Sequence, residues 1–185
     1  MDGVLDRHYW SDNLGGYHLA ADDTGDLIVR PFSGLDEATP NANAMMVPNL
    51  VSLSLWTGDA RFAKRAEEIL RRFGGAITAN PVGHAGLLAA AFDALAPQLV
   101  VIVMPRDGDA RPLREGLHDV SLPNAVVIEV PQGEALPASS TAYGKTAVEG
   151  KPTAYICLGP QCSPPVTEAA GLAKTVKQAR RVTVT

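Results

Sequence analysis

The chain has 185 residues, of which 46% are hydrophobic and 19% are charged, a composition typical of a folded globular protein rather than a disordered one. Its net charge of −4 offers no basic surface for nucleic acid, and no apolar run reaches the roughly 18 residues that a membrane-spanning helix needs. Because the first residues also lack the basic and then apolar pattern of a signal peptide, we expect a soluble cytoplasmic protein without nucleic-acid or membrane partners.

The first part of the chain is predicted to be mainly helical. Residues 3–10 fit the end of an amphipathic helix, and two apolar runs around a polar turn predict a short hairpin over residues 17–29. Thr39 is a good N-cap, so a second helix is expected from there to about Trp56. Pro48 lies inside that helix and predicts a kink or a late start, because proline removes one helical hydrogen bond.

Two further helices are predicted next. Asp59 is expected to cap a helix whose apolar face runs to Phe73, and the glycine pair at residues 74–75 is expected to end it. Residues 82–95 are apolar nearly all round, which predicts a buried helix that Pro97 stops.

The second part of the chain alternates between apolar runs and amphipathic stretches. Helices are expected from Asp109 to about His118 and from Thr167 onward. The three strand-like runs are residues 99–104, 125–130 and 153–158. Because helices alternate with these strands, the pattern predicts a small three-stranded and mainly parallel sheet.

Several short motifs follow one another along the chain. The early motifs are Gly15-Gly16-Tyr17, Arg30-Pro31, Asp36-Glu37-Ala38-Thr39-Pro40-Asn41-Ala42-Asn43-Ala44 and Trp56-Thr57-Gly58. The late motifs are Tyr155-Ile156-Cys157, Cys162 and Pro164-Pro165-Val166-Thr167. In this order, and over essentially the whole chain, they resemble the C-terminal part of the thioredoxin-domain-containing family that includes YyaL and the spermatogenesis-associated thioredoxin-like proteins.

The resemblance implies a fold. Such proteins join a thioredoxin-like domain to an (α/α)6 toroid of the six-hairpin glycosidase and N-acylglucosamine 2-epimerase type. We therefore expect a mixed α and β chain, with partial toroid hairpins in residues 1–97 and a small three-stranded, mainly parallel α/β element in residues 98–185 packed on them. The chain is then the C-terminal part of a longer protein, and the family's redox motif matches no residue here.

The resemblance also implies a candidate site. In toroids of this class, loops line a cavity in which two carboxylates, here Asp36 and Glu37, act as general acid and base on a sugar. Arg30, Asn43 and Tyr17 would bind the substrate. For every one of these residues the more common alternative is structural, as a solvated loop carboxylate, a loop anchor, a backbone-bonded amide or a packed ring.

Cys157 and Cys162 are the redox candidates. Four residues separate them, whereas a thioredoxin site or a zinc knuckle has two. A turn at Gly159-Pro160 would bring them close enough for a disulfide, but two reduced thiols are the expected state in the cytosol. The four histidines show no paired spacing that would complete a zinc site, so neither a metal nor a cofactor is expected.

Two functions remain open. The intact protein could be carbohydrate-active, as an epimerase or hydrolase with a small saccharide as its partner. Alternatively, the chain is a non-catalytic scaffold or interaction module that is inactive alone. A truncated ring exposes the apolar flanks of its helices, so the second function predicts binding to the missing N-terminal hairpins or self-association.

Overall fold

A computed structural model describes residues 2–118, 120, 122, 125–159 and 161–181. The chain divides into two compact units. Unit 1 comprises Met1–Ser54 and Ala60–Leu95, and unit 2 comprises Leu55–Asp59 and Ala96–Thr185. The domain boundary drawn from the sequence between residues 97 and 98 stays a prediction.

Unit 1 is built from helices and one small ribbon. Its helices are α1 (Asp2–His8), α2 (Ala42–Thr57, which ends in unit 2), α3 (Ala60–Ala79) and α4 (Ala85–Leu95). Strands β1 (Trp10–Ser11) and β2 (Gly16–Tyr17) pair antiparallel. The buried core of the unit comes from β2, α2, α3 and α4 and consists of Tyr17, Ala44, Val47, Leu50, Phe62, Ala66, Ile69, Phe73, Leu87 and Ala90.

The partial toroid implied by the resemblance is wrong for the described part of the chain. A toroid needs inner and outer helices arranged around an axis, whereas α2, α3 and α4 contribute to one shared core. No ring of hairpins is present among the described residues.

Helix α3 is longer than the sequence predicted. It continues through the glycine pair at residues 74–75 to Ala79. Ile77 lies four residues after Phe73 and packs against the same core. This packing outweighs the roughly 1 kcal/mol that each interior glycine costs a helix. Helix α2 likewise runs through Pro48 without a late start there.

The hairpin predicted over residues 17–29 is also wrong. Residues 18–41 contain no helix or strand, and the ribbon forms earlier, between β1 and β2. Gly15, at a φ of +67°, lies in the turn that joins these strands, a conformation that glycine adopts without steric cost.

Unit 2 contains a four-stranded mixed sheet. Its elements are β3 (Gln98–Met104), α5 (Arg111–His118), β4 (Ala125–Pro131), β5 (Thr153–Leu158), β6 (Gln161–Cys162) and α6 (Ala169–Arg181). The strand order is β4-β3-β5-β6. Strand β3 is parallel to β4 and antiparallel to β5, and β5 is antiparallel to β6.

The prediction of a three-stranded, mainly parallel element is therefore wrong. A helix-containing crossover returns the chain to the same end of a sheet and makes strands parallel. Only β3 and β4 are joined in that way, through α5. The segment between β4 and β5 contains no helix, and β5 enters the sheet antiparallel. The tight turn after β5 then adds the fourth strand.

Strand β3 is covered on both faces, as its continuous apolar run predicted. Val100 and Ile102 share a core with residues of α5 and α6. Leu99, Val101 and Val103 pack on the opposite face with residues of β4. Among the described residues, no helix combines the length and the apolar character that crossing a bilayer requires.

The last turn of α2 belongs to unit 2. Leu55 packs against the core that contains Leu99 and Val101. The Ser140 hydroxyl donates to the Trp56 carbonyl at 2.9 Å, and the Ser139 hydroxyl donates to the Thr57 carbonyl at 3.2 Å. These bonds satisfy carbonyls at the helix end that have no partner within the helix.

The buried centre of β3 predicts a large response to truncation. Ile102→Ala should lower the free energy of unfolding by about 2–5 kcal/mol, because it removes a side chain with no exposed surface and leaves a cavity. Val127→Ala on β4, where the side chain is 40% exposed, is the control and should cost less than about 1 kcal/mol. Urea unfolding followed by circular dichroism measures both, and equal losses would contradict this packing.

Candidate functional site

Asn43 clamps two separate stretches of backbone in unit 1. Its side chain has no exposed surface. The amide oxygen accepts from the Tyr17 N–H at 2.8 Å, and the amide nitrogen donates to the carbonyls of Tyr17 at 3.0 Å and Ser33 at 3.2 Å. A Cβ at Gly16 would lie 3.1 Å from the Asn43 oxygen, so glycine at that position allows the close approach.

Asn41 has a related role two residues earlier. Its side-chain oxygen accepts from the Ala44 N–H at 3.1 Å, which makes it the N-cap of α2. Its amide nitrogen donates to the carbonyls of Ser33 and Leu35. The assignment of Thr39 as the cap is thus wrong. The sequence did contain a signal for this cap, because asparagine is a favoured N-cap residue and Asn41 directly precedes the helix.

Asp36 accepts hydrogen bonds from backbone N–H groups. One carboxylate oxygen accepts from the Gly86 N–H in the first turn of α4 at 2.7 Å, and the other accepts from the Asn41 N–H at 3.4 Å. An acidic group at a helix N-terminus is favourable because it interacts with the helix dipole. Glu37 is the next residue and is exposed.

Arg30 anchors the irregular segment through carbonyl groups. Its guanidinium donates to the His8 carbonyl at 2.7 Å and, through two nitrogens, to the Ala20 carbonyl at 3.2 and 3.1 Å. Tyr17 is 3% exposed, and its ring packs edge-on against Trp10 with centroids 5.0 Å apart.

The candidate residues from the sequence are therefore only partly brought together. Tyr17 and Asn43 are joined directly, and Asp36 is linked to them through Asn41 and the Ser33 carbonyl. Arg30 bonds elsewhere, to His8 and Ala20. The side chains of Asp36, Asn43 and Arg30 form hydrogen bonds with backbone groups. This is what the sequence analysis gave as the structural alternative to a role in catalysis or substrate binding.

A further polar group was missed in the sequence. The His8 Nδ1 atom lies 2.7 Å from an Asp22 carboxylate oxygen and 3.9 Å from an Asp23 oxygen. The three ligand atoms lie within 4.8 Å of one another, a spacing that one divalent cation can bridge. The hydrogen bond from His8 lowers the pKa of Asp22, as does the positive charge of Arg30. That same charge would repel a cation.

Cys157 and Cys162 form a disulfide, so the expectation of two reduced thiols is wrong. The residues face each other across the β5–β6 pair, with Cα atoms 4.0 Å apart. Gly159 begins the turn between the strands with a φ of +55°, the left-handed conformation that glycine favours. Pro160, the other turn residue named from the sequence, lies outside the described residues.

The chain is similar to spermatogenesis-associated protein 20. It is 27% identical to the rat (Rattus norvegicus) protein over 188 residues that cover 96% of this chain, and 27% identical to the mouse (Mus musculus) protein over the same coverage. The human (Homo sapiens) protein is 28% identical over 184 residues and 94% of the chain. The chain spans 23% of the length of these relatives.

These matches confirm the resemblance to spermatogenesis-associated proteins that the ordered motifs indicated. The thioredoxin-like domain and the sugar chemistry stay predictions. No protein-family model matches the chain, and no solved structure matches it significantly. The similarity thus relates this chain to spermatogenesis-associated protein 20. What individual residues do follows from the contacts described above.

The clamp predicts a stability defect for Asn43→Ala. The substitution leaves the Tyr17 N–H and the Tyr17 and Ser33 carbonyls without this partner, and each buried unsatisfied group costs about 1–3 kcal/mol. We expect a loss of more than about 2 kcal/mol in the free energy of unfolding. Asn49→Ala, at an exposed position of the same helix, is the matched control and should change stability by less than about 0.5 kcal/mol. If both variants unfold alike in urea, Asn43 is not a clamp.

Proposed function

We propose that the chain is a structural, non-catalytic part of a longer protein related to spermatogenesis-associated protein 20. In this proposal its polar motif residues hold the fold, and its exposed apolar residues pack against another polypeptide segment of that longer protein. A cytoplasmic location is part of the same proposal.

The observation that carries the proposal is the way the polar motif residues are used. Asp36 accepts from two backbone N–H groups, and Asn43 and Arg30 bond only backbone groups in the contacts described above. A general acid or base must reach the proton that it transfers. Asp36, the carboxylate that the sequence pairs with Glu37, is instead held by its hydrogen bonds to backbone N–H groups.

Exposed apolar side chains support the interaction part of the proposal. Leu27, Ile28 and Val29 are consecutive and exposed, and the Ile28 side chain is fully accessible to solvent. Phe92 and Leu95, three residues apart on α4, are 64% and 78% exposed. Clusters of exposed apolar side chains are typical of surfaces that another polypeptide covers. The greater length of the relatives, of which this chain spans 23%, provides such a polypeptide.

The competing function is carbohydrate chemistry in the intact protein, with Asp36 and Glu37 as the catalytic carboxylates and Arg30, Asn43 and Tyr17 as substrate-binding residues. It requires the two carboxyl groups to act on one saccharide. The two functions make opposite predictions for these neighbouring carboxylates.

A matched pair of variants separates the two functions. Asp36→Ala should lower the free energy of unfolding by about 0.5–2 kcal/mol, because it removes the cap of α4, whereas Glu37→Ala should leave stability within about 0.5 kcal/mol of the original protein. Thermal and urea unfolding measure both. Saccharide binding is followed by NMR titration with neutral mono- and disaccharides. Binding that both variants abolish, without loss of stability, would contradict the structural function.

The exposed run Leu27-Ile28-Val29 predicts that the isolated chain associates with itself. In the isolated chain, no segment of a longer protein is present to cover this run. Ile28→Asp should reduce the weight-average mass at high concentration, because it places a charge where an apolar contact forms. Thr24→Asp, which adds the same charge to an exposed residue of the same segment, should not. Size-exclusion chromatography with light scattering over a concentration series gives the mass. A chain that stays monomeric throughout and binds no hydrophobic dye would contradict the interaction function.

A further inference from the structure

The two sulfur atoms of the disulfide belong to residues of very different exposure. Cys157 is 1% exposed and packs with Leu99, Val101 and other core residues of unit 2. Cys162, its partner on β6, is exposed. A thiol that attacks a disulfide must reach one of its sulfurs. Of the two residues, Cys162 is the one that an external thiol can approach from solvent.

Apart from the disulfide, the described contacts hold β6 itself only by its short pairing with β5, and beyond Ser163 the chain is next anchored to β5 at Val166, which exchanges two backbone hydrogen bonds with Ala154. Strand β6 has two residues, which pair with Cys157 and Leu158 at the edge of the sheet. Directly after it, the Ser163 N–H donates to the Ile156 carbonyl at 2.8 Å, and the Ser163 hydroxyl accepts from the Ile156 N–H at 3.2 Å. A two-residue edge strand buries little apolar surface that could hold it in place.

We propose that Cys162 is a site of thiol–disulfide exchange with a dithiol reductant, and that reduction releases β6 from the edge of the sheet. This inference does not depend on the proposed function. An exposed cysteine on a short edge strand is one that an external thiol can approach without opening a core.

The exchange proceeds in two balanced steps. A thiolate of the dithiol attacks the Cys162 sulfur and forms a mixed disulfide, while the bond to Cys157 breaks and its electron pair leaves with the Cys157 sulfur, which takes up a proton. The second thiolate of the reductant then attacks its own sulfur in the mixed disulfide. Cys162 leaves as a thiol, the reductant is oxidised by two electrons, and the protein disulfide is reduced by two.

Release of β6 would change the surface beside it. The backbone of β5 at Cys157 and Leu158 would lose its neighbour and become an open sheet edge. A groove of about 280 Å³, which β5 and β6 line together with Thr175, Gln178 and Ala179 next to the sheet, would widen on its β6 side. In the oxidised chain, β6 covers this edge and forms one side of the groove.

Differential alkylation of the original chain tests the exchange. The protein, purified without reductant, is labelled with N-ethylmaleimide for increasing times, either directly or after complete reduction with dithiothreitol and its removal, and is mapped by peptide mass spectrometry. We expect no labelling before reduction. After reduction, Cys162 should react at least about tenfold faster than Cys157, since burial shelters a thiol from reagents. Free thiols at the start, or equal rates at the two residues, would overturn the proposal.

Matched variants compare how readily each cysteine, as the attacking thiolate, exchanges with an external disulfide. With glutathione disulfide, Cys157→Ser should form a mixed disulfide at Cys162 at least about tenfold faster than Cys162→Ser forms one at Cys157. Intact-mass measurement follows both reactions. The reverse order would overturn the assignment of Cys162 as the site of exchange.

Hydrogen exchange tests the release of β6. Reduction should speed exchange of the Cys162 and Ser163 amides and leave the amides of Val100 and Ile102 in β3 unchanged. The double variant Cys157→Ser with Cys162→Ser should exchange like the reduced chain and should not respond to dithiothreitol. Identical exchange at residues 162 and 163 in the oxidised and reduced chains would show that β6 stays in place and would overturn the release.

Discussion

Both units depend on side chains that provide hydrogen-bond partners for backbone groups left without one by the helices and strands. In unit 1, the side chains of Asn41, Asn43 and Arg30 donate to carbonyls of the segment between β2 and α2. In unit 2, Ser139 and Ser140 do so at the end of α2. A buried backbone group without a partner costs about 1–3 kcal/mol. Polar side chains that suggest chemistry in the sequence are therefore used for folding.

The sequence predicted the elements of the fold better than their arrangement. The run at residues 99–104 was enough to identify a strand covered on both faces, because burial on two sides leaves no polar position. The direction of a strand depends on the segment that connects it to the strand before. The segment between β4 and β5 has no pattern in the sequence that predicts at which end of the sheet β5 begins. The end of α3 was predicted too early, at the glycine pair. The helix continues because Ile77 packs against the core of unit 1, a tertiary contact that the local sequence does not reveal.

The candidate site shows the same division. Asp36 and Asn43 stood out as polar residues within motifs, and both make specific contacts. Their partners, Gly86 and Tyr17, are distant in the sequence, so local patterns could not reveal that these contacts are with backbone. The His8 and Asp22 pair was missed for a similar reason, since the irregular segment that brings the two side chains together has no periodicity. The similarity to spermatogenesis-associated protein 20 indicates ancestry, but it could not supply these contacts.

Helix α2 has a consequence for how the two units can be inherited. Its last residues, Leu55 to Thr57, and the following Gly58 belong to unit 2, although residues 60–95 of unit 1 come after them. Gly58 has a φ of +70°, and a Cβ there would collide with the Ser139 carbonyl. No single cut in the gene separates the units without removing part of a core. A recombination event that cuts the chain once after residue 95 would therefore leave unit 2 without Leu55, which packs against its core.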